Sequence, residues 1–167
     1  MKKIIQNFAS FIIIKIIVRF FLKLNSYLGR LWSNFKYRAL VGDCSNSICH
    51  FTTEIKYGEK ISVGENSRIG KNCTLGGKGG IKIGKNVVIS KYVTIETAGL
   101  ELEKGPPYNS HFGKEIIIED GVWIGTNCII LNGVTIGENS IIGAGTVITK
   151  NITANSIVVG SLNRILK

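Results

Sequence analysis

Only two prolines, the adjacent Pro106 and Pro107, occur in a chain of 167 residues that carries twenty glycines. A flexible Pro/Gly linker needs both residue types, so these glycines belong inside ordered structure. Charged residues make up 19% of the chain against 44% hydrophobic, a balance that excludes a disordered chain and supplies one real core. The four cysteines, Cys44, Cys49, Cys73 and Cys128, lack the dense spacing of a secreted disulfide scaffold, which leaves a reducing cytoplasm as the default compartment. Histidine is scarcer still, with His50 and His111 alone. Cys44, Cys49 and His50 cluster, but no second cysteine or histidine pair stands at ligand spacing, so no metal site is expected.

Acidic residues are missing from residues 1–40, which hold eight of the chain's lysines and arginines and leave +2 of the net +10 for the remainder. The basicity therefore belongs to the N-terminus. The body has no basic stripe interleaved with aromatics, which argues against nucleic acid as a partner. Within residues 4–35, Lys15, Arg19, Lys23, Ser26, Arg30 and Asn34 fall three or four apart, on one side of a helix. Ile4, Ile5, Phe8, Phe11, Ile12, Ile16, Phe20, Leu24, Tyr27, Leu28, Leu31 and Phe35 form the other side. A spanning helix would bury Lys15 and Arg19 near its middle at roughly 2.5–3.5 kcal/mol each, whereas an in-plane helix avoids that cost. Residues 1–42 are therefore expected to form an amphipathic segment. Residues 1–36 would contact a membrane surface peripherally, or pack against protein. No small-residue cleavage site follows the apolar stretch, against a signal peptide.

From Val63 the chain falls into six-residue units that open on an aliphatic residue, usually followed by glycine, with a small or branched residue in fifth place. Val63–Arg68, Ile69–Thr74 and Leu75-Gly76 begin the series, and after a two-residue slip in the Gly-rich 76–80 it resumes as Ile83–Val88 and Ile89–Thr94. A second run of six units extends from Ile118 to Thr153. Three such units close one triangular coil, with the leading aliphatic pointing inward and stacking on its equivalents above and below. Gly and Asn suit the corners, where positive φ is needed. Cys73 and Cys128 stand in fifth place and are expected as interior filler.

Segment 96–115 interrupts this regularity, and a loop of that length in a compact domain is usually functional or disordered. It holds His111 beside Tyr108, Asn109 and Ser110, and it also carries Glu101 and Glu103. A neutral imidazole is suited to take a hydroxyl proton near neutral pH, so His111 is the candidate general base, with Glu101 or Glu103 as the alternative.

Over roughly residues 60–167 the repeat resembles the hexapeptide-repeat acyltransferase superfamily. The resemblance implies an all-β fold, a left-handed parallel β-helix over residues 43–167, with the N-terminal helical segment appended and a tail at 154–167. It also implies acetyl-CoA as donor and a homotrimer with active sites between subunits. The same coil serves γ-class carbonic anhydrases and nucleotide-sugar enzymes, so the repeat speaks to fold more than function. In galactoside, maltose and capsule-type O-acetyltransferases a loop like 96–115 carries the catalytic histidine, and the next coil often reads like Val122-Trp123-Ile124-Gly125. Those relatives often place the histidine just after the entering strand, where this chain has Thr97-Ala98-Gly99-Leu100.

By the same resemblance, Gly125, Thr126, Ala144, Thr149, Lys150, Arg164 and Lys167 would hold coenzyme A, the last basic groups pairing with its phosphates. Trp123 would wall the acyl site, and Tyr108, Asn109, Ser110, Glu101 and Glu103 would meet the acceptor. The combined expectation is an O-acetyltransferase acting on a surface polysaccharide or its lipid-linked precursor at the inner face of the plasma membrane. A small acceptor, or a scaffold without catalysis, are the alternatives.

Overall fold

The computed structural model describes residues 2–44, 46–107, 110–160 and 164–165, with side chains described from residue 12 onward except at 104, 164 and 165. The chain divides into two compact units, Met1–Trp32 and Ser33–Lys167. One helix, α1 (Lys2–Leu40), runs through the boundary. It runs on past the amphipathic stretch to Leu40, because Lys36 to Leu40 include no Gly or Pro and their turn has something to bury. Ser33, Tyr37 and Val41 are buried in the second unit. There the Tyr37 hydroxyl meets Ser47 Oγ at 2.8 Å, and the Lys36 ammonium donates to the carbonyls of Phe51 and Thr53 at 3.1 and 2.7 Å.

The second unit is a parallel β-solenoid of about five turns. Its first face stacks Ile61–Val63, Ile81–Ile83, Ile116–Ile118 and Thr135–Ile136. The second stacks Ile48–Cys49, Arg68–Ile69, Val88–Ile89, Trp123–Ile124, Ile141–Ile142 and Ile157–Val159, with Arg164–Ile165 folding back antiparallel on the last. The third stacks Glu54–Lys56, Thr74–Gly76, Thr94–Glu96, Ile129–Ile130 and Val147–Ile148. The repeat phase read from the sequence is the structural phase. Leu75, Ile95, Ile130 and Ile148 form one interior column in register, each fully buried.

Small side chains in fifth place do more than fit. Ser67 Oγ donates to the Gly84 carbonyl at 2.7 Å, Cys73 Sγ to Ser90 at 3.1 Å and Cys128 Sγ to Gly143 at 3.1 Å, so each satisfies a corner carbonyl of the next coil. Burial raises the Cys73 and Cys128 thiol pKa values and pushes that of Cys49 up to about 11, which keeps all three protonated.

The corners take positive φ at Asn66, Asn72, Asn86, Asn127, Asn139 and Asn155, as the residue pattern requires. Tyr92 is a departure, with φ 60° where its equivalents are asparagine or glycine. A non-glycine residue in that region costs about 1–2 kcal/mol, less for asparagine. Since Tyr92 is half exposed, Tyr92→Asn should raise the melting temperature by about 2–4 °C, as read by thermal unfolding followed by circular dichroism.

Candidate active site

After Glu96 the chain leaves the third face, and it rejoins the coil on the first face at Ile116. Between these points it forms an arm. Ala98–Leu100 pairs antiparallel with His111–Gly113, and a short 3-10 turn, Leu102–Lys104, follows the outgoing strand. The two ends of the arm meet, with Lys114 N donating to the Thr97 carbonyl at 3.0 Å.

The buried Thr97 organises this root. Its hydroxyl donates to the Gly76 carbonyl and accepts from Gly79 N at 2.8 Å. The Lys78 ammonium donates to the His111 carbonyl at 2.7 Å, and Asn132 Nδ2 reaches the Ala98 carbonyl at 3.4 Å from the following coil. A Cβ on Gly79 would lie 2.5 Å from Lys114 N and 2.6 Å from Gly113 C, so only glycine lets the returning strand come this close. Thr97, Lys78, Gly79 and Asn132 are site residues that the sequence analysis missed. The slip in repeat phase at 76–80 was the signal for Lys78 and Gly79: that turn is the floor under the arm.

His111 is exposed and stands directly across the ladder from Leu100. Its ring makes no hydrogen bond among the described residues. The neighbouring Phe112 lies over Gly99, where any Cβ would strike its ring, and the Lys114 ammonium stands 5.4 Å from the ring centre on the same side chain. Ser110 Oγ donates to Glu101 Oε2 at 2.7 Å, and Glu101 N donates to the Ser110 carbonyl at 3.0 Å. Leu100, Glu101, Leu102, Glu103 and Phe112 line a cleft of about 620 Å³. The arm thus joins Ser110 to Glu101 and puts Glu101 and Glu103 on the cleft, while His111, next to Ser110 on the returning strand, is not among the residues that line it. Tyr108 and Asn109 lie outside the described residues.

The remaining candidates occupy two edges of the coil. Gly125, Thr126 and Ala144 sit on the turns between the second and third faces, stacked so that Gly145 N donates to the Thr126 carbonyl at 2.8 Å. A Cβ on Gly125 would lie 2.6 Å from Ala144 N. Thr149 and the exposed Lys150 sit on the turn between the third and first faces, the edge from which the arm also leaves. Trp123 is on the second face, 54% exposed, in register with Val88 and Ile141, its indole N–H 3.4 Å from Ser90 Oγ. In a three-sided coil that face lies opposite the edge bearing the arm, so one chain does not bring Trp123 to His111. Arg164 is described in its backbone only, and Lys167 lies outside the described residues.

Residues 115–150 match the bacterial transferase hexapeptide family (six repeats), and residues 60–91 match the hexapeptide repeat of succinyl-transferase. A hexapeptide-repeat-containing acetyltransferase from Vibrio cholerae O1 biovar eltor, complexed with acetyl-CoA, is 30% identical with a TM-score of 0.74, over 78% of this chain and 73% of that one. A maltose O-acetyltransferase from Clostridium difficile 630 is 33% identical with a TM-score of 0.74, over 87% of this chain and 84% of that one. The chain belongs to the hexapeptide-repeat acetyltransferases. This acetyltransferase is also similar to a galactoside acetyltransferase in complex with coenzyme A, at 29% identity and a TM-score of 0.72, over 78% of this chain and 66% of that one. The two family matches stop at 91 and resume at 115, so nearly all of the acetyltransferase's arm falls between them. Among its described residues no group of three or more His, Cys, Asp or Glu could hold a metal ion.

Proposed function

We propose that the protein moves the acetyl group of acetyl-CoA to a hydroxyl of a surface polysaccharide or its lipid-linked saccharide precursor, with His111 as general base. The observation that carries this reading is the arm's register, which sets His111 against Leu100, within the segment where the resembling O-acetyltransferases carry their histidine. Late in sequence, it is early in space. The maltose and galactoside acetyltransferases among the similar structures support a saccharide acceptor.

In the reaction, the acceptor oxygen attacks the thioester carbonyl carbon as the imidazole takes its proton. The tetrahedral intermediate collapses by breaking the carbon–sulfur bond, and the imidazolium returns the proton to the departing thiolate of coenzyme A. Acetyl passes directly to oxygen, with no covalent enzyme intermediate. Glu101, Ser110 and Glu103 offer hydrogen-bonding partners to the acceptor's other hydroxyls beside the apolar Leu100, Leu102 and Phe112. For the donor we assign the Gly125, Thr126 and Ala144 edge, together with Thr149, Lys150, Arg164 and Lys167, whose cations suit the phosphates of coenzyme A.

The split of these candidates between two edges supports a homotrimer. Turned about a three-fold axis, one copy's arm and Lys150 edge approaches the next copy's Thr126 and Ala144 edge, and Trp123 joins the neighbour's side of the site.

The test is thiol release from acetyl-CoA in the presence of oligosaccharides, free hexoses and no acceptor, with molar mass followed by light scattering. Stimulation by oligosaccharides above free hexoses at trimeric mass is expected. Stimulation by free sugars alone would replace the polymer with a small acceptor, and absence of both release and coenzyme A binding would leave a scaffold.

A further inference from the structure

The part of α1 that belongs to the first compact unit presents an unusual surface. Between residues 12 and 32, fourteen large apolar side chains are exposed, among them Phe20 at 61% and Trp32 at 63%. At about 100° per residue, Lys15, Arg19, Lys23 and Arg30 fall within a sector of about 80°. Of the fourteen, Ile12 alone falls inside that sector, on the cationic and not the expected apolar side, and the other thirteen project outside it over an arc of about 240°. A helix packed on a globular core shows a narrower apolar stripe, typically a little over 100°. Acidic residues are absent from the whole of α1, and no described helix is long and apolar enough to cross a membrane.

We propose that residues 12–32 lie in the plane of an anionic phospholipid surface, with the apolar arc among the acyl chains and the four cations at the lipid phosphates. Three observations favour this partner. The segment is about 30 Å long at 1.5 Å per residue, so all four cations can lie at headgroup depth together when it lies flat. The wide arc exceeds what one partner helix covers, because pairing with a second copy buries a narrow seam and leaves most of the arc in water. Pairing would also gather cations with no acid to offset them, whereas a phosphate surface neutralises each. The cytoplasmic leaflet of a plasma membrane carries such anionic lipid, and we assign the helix to it. This partner is independent of the acceptor's identity and of the role of His111.

The experiment is sedimentation of the full chain with extruded vesicles of phosphatidylcholine alone or equimolar phosphatidylcholine and phosphatidylglycerol. The expected result is partition onto the mixed vesicles at least about tenfold above that onto phosphatidylcholine, falling as salt is raised. Phe20→Asp with Leu24→Asp should leave the protein in the supernatant, while its acetyl-CoA hydrolysis and helical circular dichroism stay at the wild-type level. Lys15→Gln with Arg19→Gln and Lys23→Gln should remove the preference for the anionic lipid. Equal partition onto both vesicles, or none onto either, overturns the proposal. So does helix-dependent self-association in place of lipid binding, seen as a mass in light scattering that the aspartate variant loses.

Discussion

His111→Ala should lower acceptor-stimulated thiol release by about a hundredfold or more, with the melting temperature unchanged, because an exposed ring without described hydrogen bonds adds little to the fold. The register supplies a stronger test than loss alone. Residues directly opposed on an antiparallel ladder hold their Cβ atoms about 4.5–5.5 Å apart, so an imidazole grown from position 100 reaches much of the space that His111 commands. Leu100 is itself exposed and tolerates the exchange. The double variant His111→Leu with Leu100→His should therefore recover at least about tenfold of the activity lost in His111→Leu, measured as initial rates at saturating acetyl-CoA. A His111→Ala enzyme with undiminished release would shift the base to Glu101 or Glu103.

Gly79→Val should have a second large effect, for a different reason. The added side chain would meet backbone atoms of Gly113 and Lys114, which cannot rotate aside as a flexible side chain would. The returning strand must lift, straining the contacts of Thr97 with Gly76 and Gly79. Overpacking of this kind costs about 1–3 kcal/mol, and a displacement of about 1 Å at a reacting group costs about a hundredfold in rate. The expected outcome is a modest fall in melting temperature with a disproportionate fall in kcat. Equal loss in both would mean that Gly79 supports the coil alone.

The coil was legible in the sequence because its constraint repeats. Every sixth position meets the same interior, so Ile83, Ile89, Ile95, Ile118, Ile124 and Ile130 declare their burial by recurrence. Tyr92 breaks the corner rule at a half-exposed position, and recurrence cannot report a strain that the chain tolerates once. The arm has no such repetition. Its length marked it as a candidate site, but its paired strands are three residues each, with Gly99 in one and Gly113 in the other, too short and too bare for an alternation to reveal them. The opposition of His111 and Leu100 is consequently a property of register alone. The root was hidden for a further reason: Lys78 and Gly79 are thirty-odd positions from His111 and Lys114, and their contacts depend on one coil lying on the next.

Because Thr97 and Lys114 are already hydrogen-bonded neighbours, the sixteen residues between them begin and end at nearly one point on the corner. The coil runs past that point as if nothing had been inserted. Such an insert can be lengthened, shortened or exchanged without resetting the interior columns or the stacked Thr126 and Ala144 turns. The solenoid is in this sense a fixed handle with a replaceable bit, and on the proposed reading new acceptors are reached by changing the bit alone.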